Sequence, residues 1–145
     1  MENKIWYFYE NLISSPLTRD VLHIKAHNFD EFKPYVEATI KSFTNSVEWL
    51  DMWTVDIAND RVEDGQELFI GYDREGALAH LWFEKNYLYN VFVNPRRPDG
   101  YSKEFVIKCI QATNQRRIRL YCDEWNIKAQ KVFEKVGFLK ESTYI

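Results

Sequence analysis

Apolar residues recur along this chain at two spacings, and the changes between them mark its elements. Val21-Leu22-His23-Ile24-Lys25-Ala26 reads as a strand. Phe32, Tyr35, Val36, Ile40 and Phe43 then fall at helical spacing, with Asn28 as N-cap and Glu31 completing a capping-box pattern. Asn45 or Ser46 caps a second predicted helix holding Val47, Leu50, Trp53 and Ile57, and Asp60 to Gly65 reads as a polar loop. Beyond it the pattern switches to strands. Leu68 to Tyr72 and Ala77 to Phe83 predict a hairpin across Asp73-Arg74-Glu75-Gly76. Tyr87 to Val93 is almost continuously apolar, as in a central strand covered on both faces, and Pro95 ends it.

Ser102 opens a helix whose Phe105, Val106, Cys109, Ile110 and Thr113 form one stripe. Ile118, Leu120 and Cys122 then alternate with Arg117, Arg119 and Tyr121 in another strand. Asn126 caps a last helix that turns Ala129, Val132, Phe133 and Val136 inward and stops at Gly137; Phe138 to Ile145 finishes as a strand. The order β-α-α-β-β-β-α-β-α-β predicts a mixed α/β domain. Ahead of it, residues 1–19 read as an N-terminal aromatic extension with Trp6, Tyr7, Phe8 and Tyr9, ending in a turn at Ser14-Ser15-Pro16. That extension is either a docking surface or an extra helix or strand packed on the domain. No repeat or low-complexity linker divides residues 1–145, so one domain with a core at 20–145 is expected.

Composition narrows the function. The net charge of −3 argues against a general nucleic-acid binder, whose domain is usually strongly basic. Arg116, Arg117 and Arg119 with Tyr121 form a local basic cluster that reads as a solvated edge or as help for phosphates. Cys109 and Cys122 lack metal or disulfide spacing and read as buried thiols of a reducing compartment. The run Ile5 to Tyr9 is too short to cross a bilayer, so a soluble, cytoplasmic protein with no membrane partner is expected.

Two segments carry candidate chemistry. Arg97-Pro98-Asp99-Gly100-Tyr101-Ser102 links the apolar strand to a helix, and such a turn aims backbone N–H groups and a positive helix end at anions. Gly100 admits a close backbone approach, and Arg96 and Arg97 can bind phosphate oxygens; the bland reading is a surface turn with two solvated arginines. Asn126-x-x-Ala129-x-x-x-Phe133-Glu134-Lys135-x-Gly137-Phe138 follows the next strand. With a hairpin upstream and in this order, the two segments resemble the acyl-CoA loop and the helix signature of the GNAT acetyltransferase superfamily, over roughly residues 20–145.

The resemblance implies a single mixed, mostly antiparallel central sheet flanked by helices, and an N-acetyltransferase that moves an acetyl group from acetyl-CoA directly to a primary amine of a small molecule, peptide or protein. It implies that Arg96, Arg97, Asp99, Gly100, Tyr101 and Ser102 hold the cofactor, and that Asn126 meets its pantetheine arm or thiol. Backbone N–H groups of Phe92 or Val93 would polarise the carbonyl. Tyr89 aligns with the usual base position. Glu84, on the hairpin, is the better carboxylate, though it also reads as solvated. Tyr121 is a further candidate for proton transfer, with Tyr87 and Glu124 nearby. Pro98 removes one N–H donor where the family usually has glycine. Phe133 stands where many members have an acid tyrosine, and it has no proton to give. The same position reads equally well as core packing.

A second reading follows from Pro98 and Phe133: a GNAT-fold acyl-CoA-binding or protein-interaction module with weak or lost catalysis. Neither cysteine suits an acyl-enzyme, since both fall on inward stripes. His80 reads as a packed histidine, and no metal site is expected at His23 and His27. Glu37, Glu48, Asp51 and Asp56 lean toward a cationic acceptor. A homodimer is compatible with all of this.

Overall fold

The computed structural model describes residues 3–11, 20–44 and 53–141. Seven strands form one sheet in the order β2-β3-β4-β5-β6-β1-β7. They are β1 (Lys4–Glu10), β2 (Val21–Ile24), β3 (Glu67–Asp73), β4 (Gly76–Glu84), β5 (Tyr87–Val93), β6 (Arg117–Asp123) and β7 (Leu139–Lys140). The helices are α1 (Phe29–Thr44), α2 (Val55–Glu63), α3 (Tyr101–Ala112) and α4 (Ile127–Val136). All pairings are antiparallel except that of β5 with β6. This is the mixed, mostly antiparallel sheet with flanking helices that the sequence implies.

Alternation along the strands sends side chains to two cores. Leu22, Ile24, Leu68, Ile70 and Trp82 pack beneath Val36, Ile40 and Phe43 of α1 and Ala58 and Val62 of α2. On the other face Phe69, Leu81, Phe83, Leu88 and Leu120 meet Phe105, Cys109 and Ile110 of α3 and Phe133 of α4. Gly71 is required there. A Cβ on it would run into the Tyr101 hydroxyl and come within 2.8 Å of the Phe105 ring, so α3 packs directly on the β3 backbone.

The largest difference from the sequence reading is at the N-terminus. Residues 4–10, expected as part of an extension, form an inner strand bonded along its whole length to β6 and on its other edge to β7. Tyr7 is fully buried in the core, and its hydroxyl donates to Glu134 at 3.1 Å. An added strand is one of the alternatives for this segment, and a consecutive aromatic run with no period-two alternation neither decides for it nor places it inside the sheet.

Smaller corrections have local causes. Asn28 does not cap α1: it sits in a 3₁₀ turn and bonds back to Lys25 and His23. The second helix is capped by Thr54, and Val62 extends its buried stripe through residues expected as loop. The Asn45 and Ser46 caps, the Ser14-Ser15-Pro16 turn and residues 142–145 of the expected final strand lie outside the described residues. Gly100, at φ 77°, is the N-cap of α3, so this helix begins at Tyr101 rather than Ser102.

Candidate functional site

Strand pairing itself makes an opening. β5 is bonded to β4 along its length, and β6 draws its ladder from β1. Between them β5 and β6 share one pair, Tyr87 with Arg119, where the Arg119 N–H also donates to the Asn86 carbonyl at 2.8 Å. With both outer edges satisfied, the two parallel strands part. A cavity of about 570 Å³ lies in the gap. Its walls are β5 from Tyr87 to Val91 with Val93, β6 from Leu120 to Asp123, Ser102 and Val106 of α3, and residues of α4.

The β5 wall is bulged. His80 faces Phe92 and Trp82 faces Tyr89, so Asn90 and Val91 together oppose Leu81. Asn90 takes φ 50°, a left-handed conformation that asparagine tolerates better than the β-branched or aromatic residues around it. Asn90 is exposed and residues 91–93 are half-buried, which corrects the expectation of a strand covered on both faces. The lone polar residue in an apolar run was the available signal for this bulge.

One end of the cavity suits an anion. Tyr101 N–H closes a turn onto the Pro98 carbonyl at 3.2 Å. The next amides, of Ser102 and Lys103, have no acceptor within the helix, as at any first turn. Arg97 lines the cavity there and enters no ion pair among the described residues; one guanidinium nitrogen lies 3.4 Å from the Asn94 carbonyl. Lys128 adds a second cation that sequence reading missed, although it stands one turn before Val132 on the same helix face. Asn126 caps α4 by accepting the Ala129 N–H at 3.2 Å and also lines the cavity. These groups fit a phosphate-bearing ligand with an apolar arm.

Several expected residues are elsewhere. Arg96 is turned to the β3–β4 hairpin, where it forms two bonds of 3.0 Å to the Asp73 carboxylate and a further one to Glu75. The paired Arg96 guanidinium holds the Asp73 carboxyl below its ordinary range. This pair clamps the hairpin and holds Arg96 outside the cavity lining. The Phe92 ring packs against Phe43 at 4.7 Å and does not line the cavity, whereas Val93 does. Tyr101 stacks on Phe105 and points toward β3; Asp99 and Gly100 shape the turn without lining the cavity.

The tyrosines lie at the closed end of the gap. Tyr87, Tyr89 and Tyr121 all line the cavity. Tyr89 donates its hydroxyl to the side-chain oxygen of Gln66, and burial pushes that hydroxyl above its ordinary pKa. Burial and the Tyr121 hydroxyl likewise push Tyr87 up. Tyr87 and Tyr89 therefore stay protonated at neutral pH and can donate or relay a proton but not act as free bases. Glu84 is exposed at the strand end, outside the cavity lining. Glu124 is also exposed and holds Asn3 at 2.9 Å.

Phe133 and Cys122 border the cavity, so each has a surface there as well as in the core. Burial, with the Asp123 and Glu134 carboxylates, pushes the Cys122 thiol up, which keeps it a poor nucleophile. His80 is fully enclosed, and burial lowers its pKa to about 3, so it is a neutral core residue. His23 is bonded to Glu67 at 2.5 Å, away from His27, and no cluster of metal-ligating residues occurs among the described residues. None of their helices is long and apolar enough to cross a membrane.

No protein-family model and no curated protein matches the sequence. Solved structures do match. A GNAT-family acetyltransferase from Colwellia psychrerythraea aligns with a TM-score of 0.62 at 14% identity, over 97% of this chain and 53% of its own. One from Bacillus cereus aligns at 0.55 and 17% identity, over 84% and 83% of the two chains. A ribosomal-protein-alanine N-acetyltransferase from Brucella melitensis aligns at 0.53 and 12% identity, over 87% and 96%. The chain spans between 48% and 59% of four longer structures that it matches. At these identities the likeness is one of architecture: the chain has the fold of the GNAT acyl-CoA N-acyltransferase superfamily.

Proposed function

We propose that this protein is an N-acetyltransferase that moves an acetyl group from acetyl-CoA directly to a primary amine of a small molecule, peptide or protein. The observation that carries the reading is the gap between β5 and β6, which ends at the α3 N-terminus beside Arg97. A thioester on an extended arm fits a narrow apolar gap, and its phosphates fit the unpaired amides and the two cations at the rim.

Acetyl-CoA supplies the activated carbonyl. The bulge at Asn90 and Val91 leaves backbone out of the ladder on the cavity wall, a source of N–H donors for the developing oxyanion. Attack forms a C–N bond and breaks the C–S bond, and one proton passes from nitrogen to sulfur. Tyr89 and Tyr87 hold protons at the closed end and serve, with the Tyr121 hydroxyl beside them, as donors or relays, so the amine arrives neutral or loses its proton through water. Phe133 offers no acid, and the thiolate is reprotonated by solvent or by this tyrosine group.

Phe133 also favours the second reading, a module that binds acyl-CoA and turns it over slowly. Thermal unfolding with acetyl-CoA and with unrelated nucleotides tests the site. At a hundredfold excess over Kd, acetyl-CoA stabilises the protein by about 2.7 kcal/mol, and Arg97→Ala weakens binding about tenfold. The absence of any acyl-CoA binding sinks the enzyme reading and the acyl-CoA-binding form of the second, and leaves a protein-interaction module. Phe133→Tyr separates them: a rate gain of at least about tenfold means that a missing acid limits a real enzyme.

A further inference from the structure

The helices α1 and α2 cover β2, β3 and β4 on one face of the sheet and reach β5 through Phe43 on Phe92 and Arg61 over Tyr89, whereas no described helix covers β6 and β1 on that face. The strand registers put Trp6, Tyr121, Tyr87 and Tyr89 on this same side, with Tyr7, Leu120 and Leu88 in the opposite core. Their rings form one row. Tyr121 and Tyr87 stack at 5.8 Å and 13°, Tyr87 and Tyr89 at 5.4 Å and 8°, and Trp6 leans on Tyr121 at 5.0 Å. Tyr121 is 40% exposed. The three tyrosines also line the cavity at the closed end of the gap. The row thus runs from open surface to the place where an acceptor must meet the thioester.

The charges along it are mixed: Glu84 lies near Tyr87 and Tyr89 and Glu141 pairs with Arg119 at 3.0 Å, while cations crowd the rings and the cavity. Asp123 is the one carboxylate among the described cavity-lining residues, and it is ion-paired with Lys4. Lys4 lies over the Tyr121 ring, Arg119 over Trp6 and Arg61 over Tyr89, so cations already occupy ring faces along the row. Arg97 and Lys128 add positive charge within the cavity. Glu37 and Asp56, which favoured a cationic acceptor in the sequence, are exposed on α1 and α2 and do not line the cavity, while Glu48 and Asp51 lie outside the described residues.

We propose that the acceptor is a primary amine carrying an aromatic ring, whose ring packs on the Trp6–Tyr121–Tyr87–Tyr89 row while its amine enters the gap. Offset or edge-to-face packing against these rings selects aromatic over saturated rings of the same size. A single amine escapes the repulsion that a polyamine meets. This inference rests on the acyl-CoA reading of the cavity and adds the class of acceptor.

Three probes decide it: phenethylamine and cyclohexylethylamine, of matched reach, and the polyamine spermidine, each assayed with acetyl-CoA by release of free thiol. Acetyl-CoA binding is first measured by calorimetry without any amine. The expected result is that phenethylamine exceeds cyclohexylethylamine about fivefold to tenfold in kcat/KM, and that spermidine is the poorest of the three. Tyr121→Leu narrows the gap between the two ring amines, chiefly through KM. The inference is overturned, with the acyl-CoA reading left standing, if acetyl-CoA binds but none of the amines is acetylated. Equal or greater turnover of cyclohexylethylamine or spermidine overturns it in the same way, as does a preference unchanged in Tyr121→Leu. Failure to bind acetyl-CoA removes both.

Discussion

The two halves of the sheet are built differently. From β2 to β4 each strand is bonded along its length and packed by helices on both faces. Beyond β4 the β5–β6 ladder has a single pair, and no described helix covers β6 and β1 on the α1–α2 face. Both halves use aromatic residues heavily; Phe69, Trp82 and Phe83 of the first are sealed, whereas Tyr87, Tyr89 and Tyr121 of the second border a cavity. The opening thus lies where β5 and β6 part, and the closed packing lies from β2 to β4. β6 can leave β5 because β1 satisfies its other edge, so the N-terminal strand is part of what makes the site.

Substitutions in the closed half break this contrast most severely. Phe69 is fully buried, stacked on His23 at 4.2 Å and edge-on to Phe83 at 5.7 Å. Phe69→Ala is expected to cost about 3–5 kcal/mol in urea unfolding. A loss under about 1 kcal/mol would mean that this half is not closely packed.

Glu67 gives the next effect. It is buried and accepts bonds from His23, from Thr113 at 2.8 Å and from Gln115 at 3.2 Å. Burial pushes its carboxyl up, but these three partners outweigh burial and hold it below the ordinary glutamate value of 4.5. A carboxyl depressed in the fold stabilises above its unfolded pKa, and that contribution is lost as pH falls through the folded value. Glu67→Gln should therefore lower stability by about 2 kcal/mol at neutral pH. Its deficit should shrink as the medium is acidified below pH 4.5. A deficit independent of pH would contradict the assignment.

Gly71→Ala comes third, at about 1–3 kcal/mol, because Phe105 cannot retreat from the new methyl as readily as the far end of Tyr101 can. The smallest change probes the open half. Asn90→Ala strains the bulge by about 1 kcal/mol, whereas Asn90→Gly keeps it. Asn90→Ala is expected to reduce acetyl-CoA affinity by more than Asn90→Gly. Equal affinities would detach the bulge from the site.

Local signals carried much of this fold. The Asp73 to Gly76 turn marked the hairpin, helical spacing marked α3 and α4, and Gly137 marked the end of α4. Long-range partners were not legible. Nothing in Ile5 to Tyr9 states that its neighbours are β6 and β7, because pairing is decided by edges far apart in the chain. The site divides in the same way. Arg97, Ser102, Asn126, Val93, Tyr89 and Tyr121 line the cavity, having been placed by their elements. Adjacent Arg96 does not, since Asp73 and Glu75 compete for it from a turn that sequence alone could not bring close.

The most direct test of the account is backbone hydrogen exchange with and without saturating acetyl-CoA. Binding in the gap should slow exchange in Asn90–Val93, Leu120–Asp123 and the first turn of α3, while β2, β3 and β4 stay unchanged. Protection confined to the closed half, or none at all, would contradict the claim that the parted strands are the acyl-CoA site.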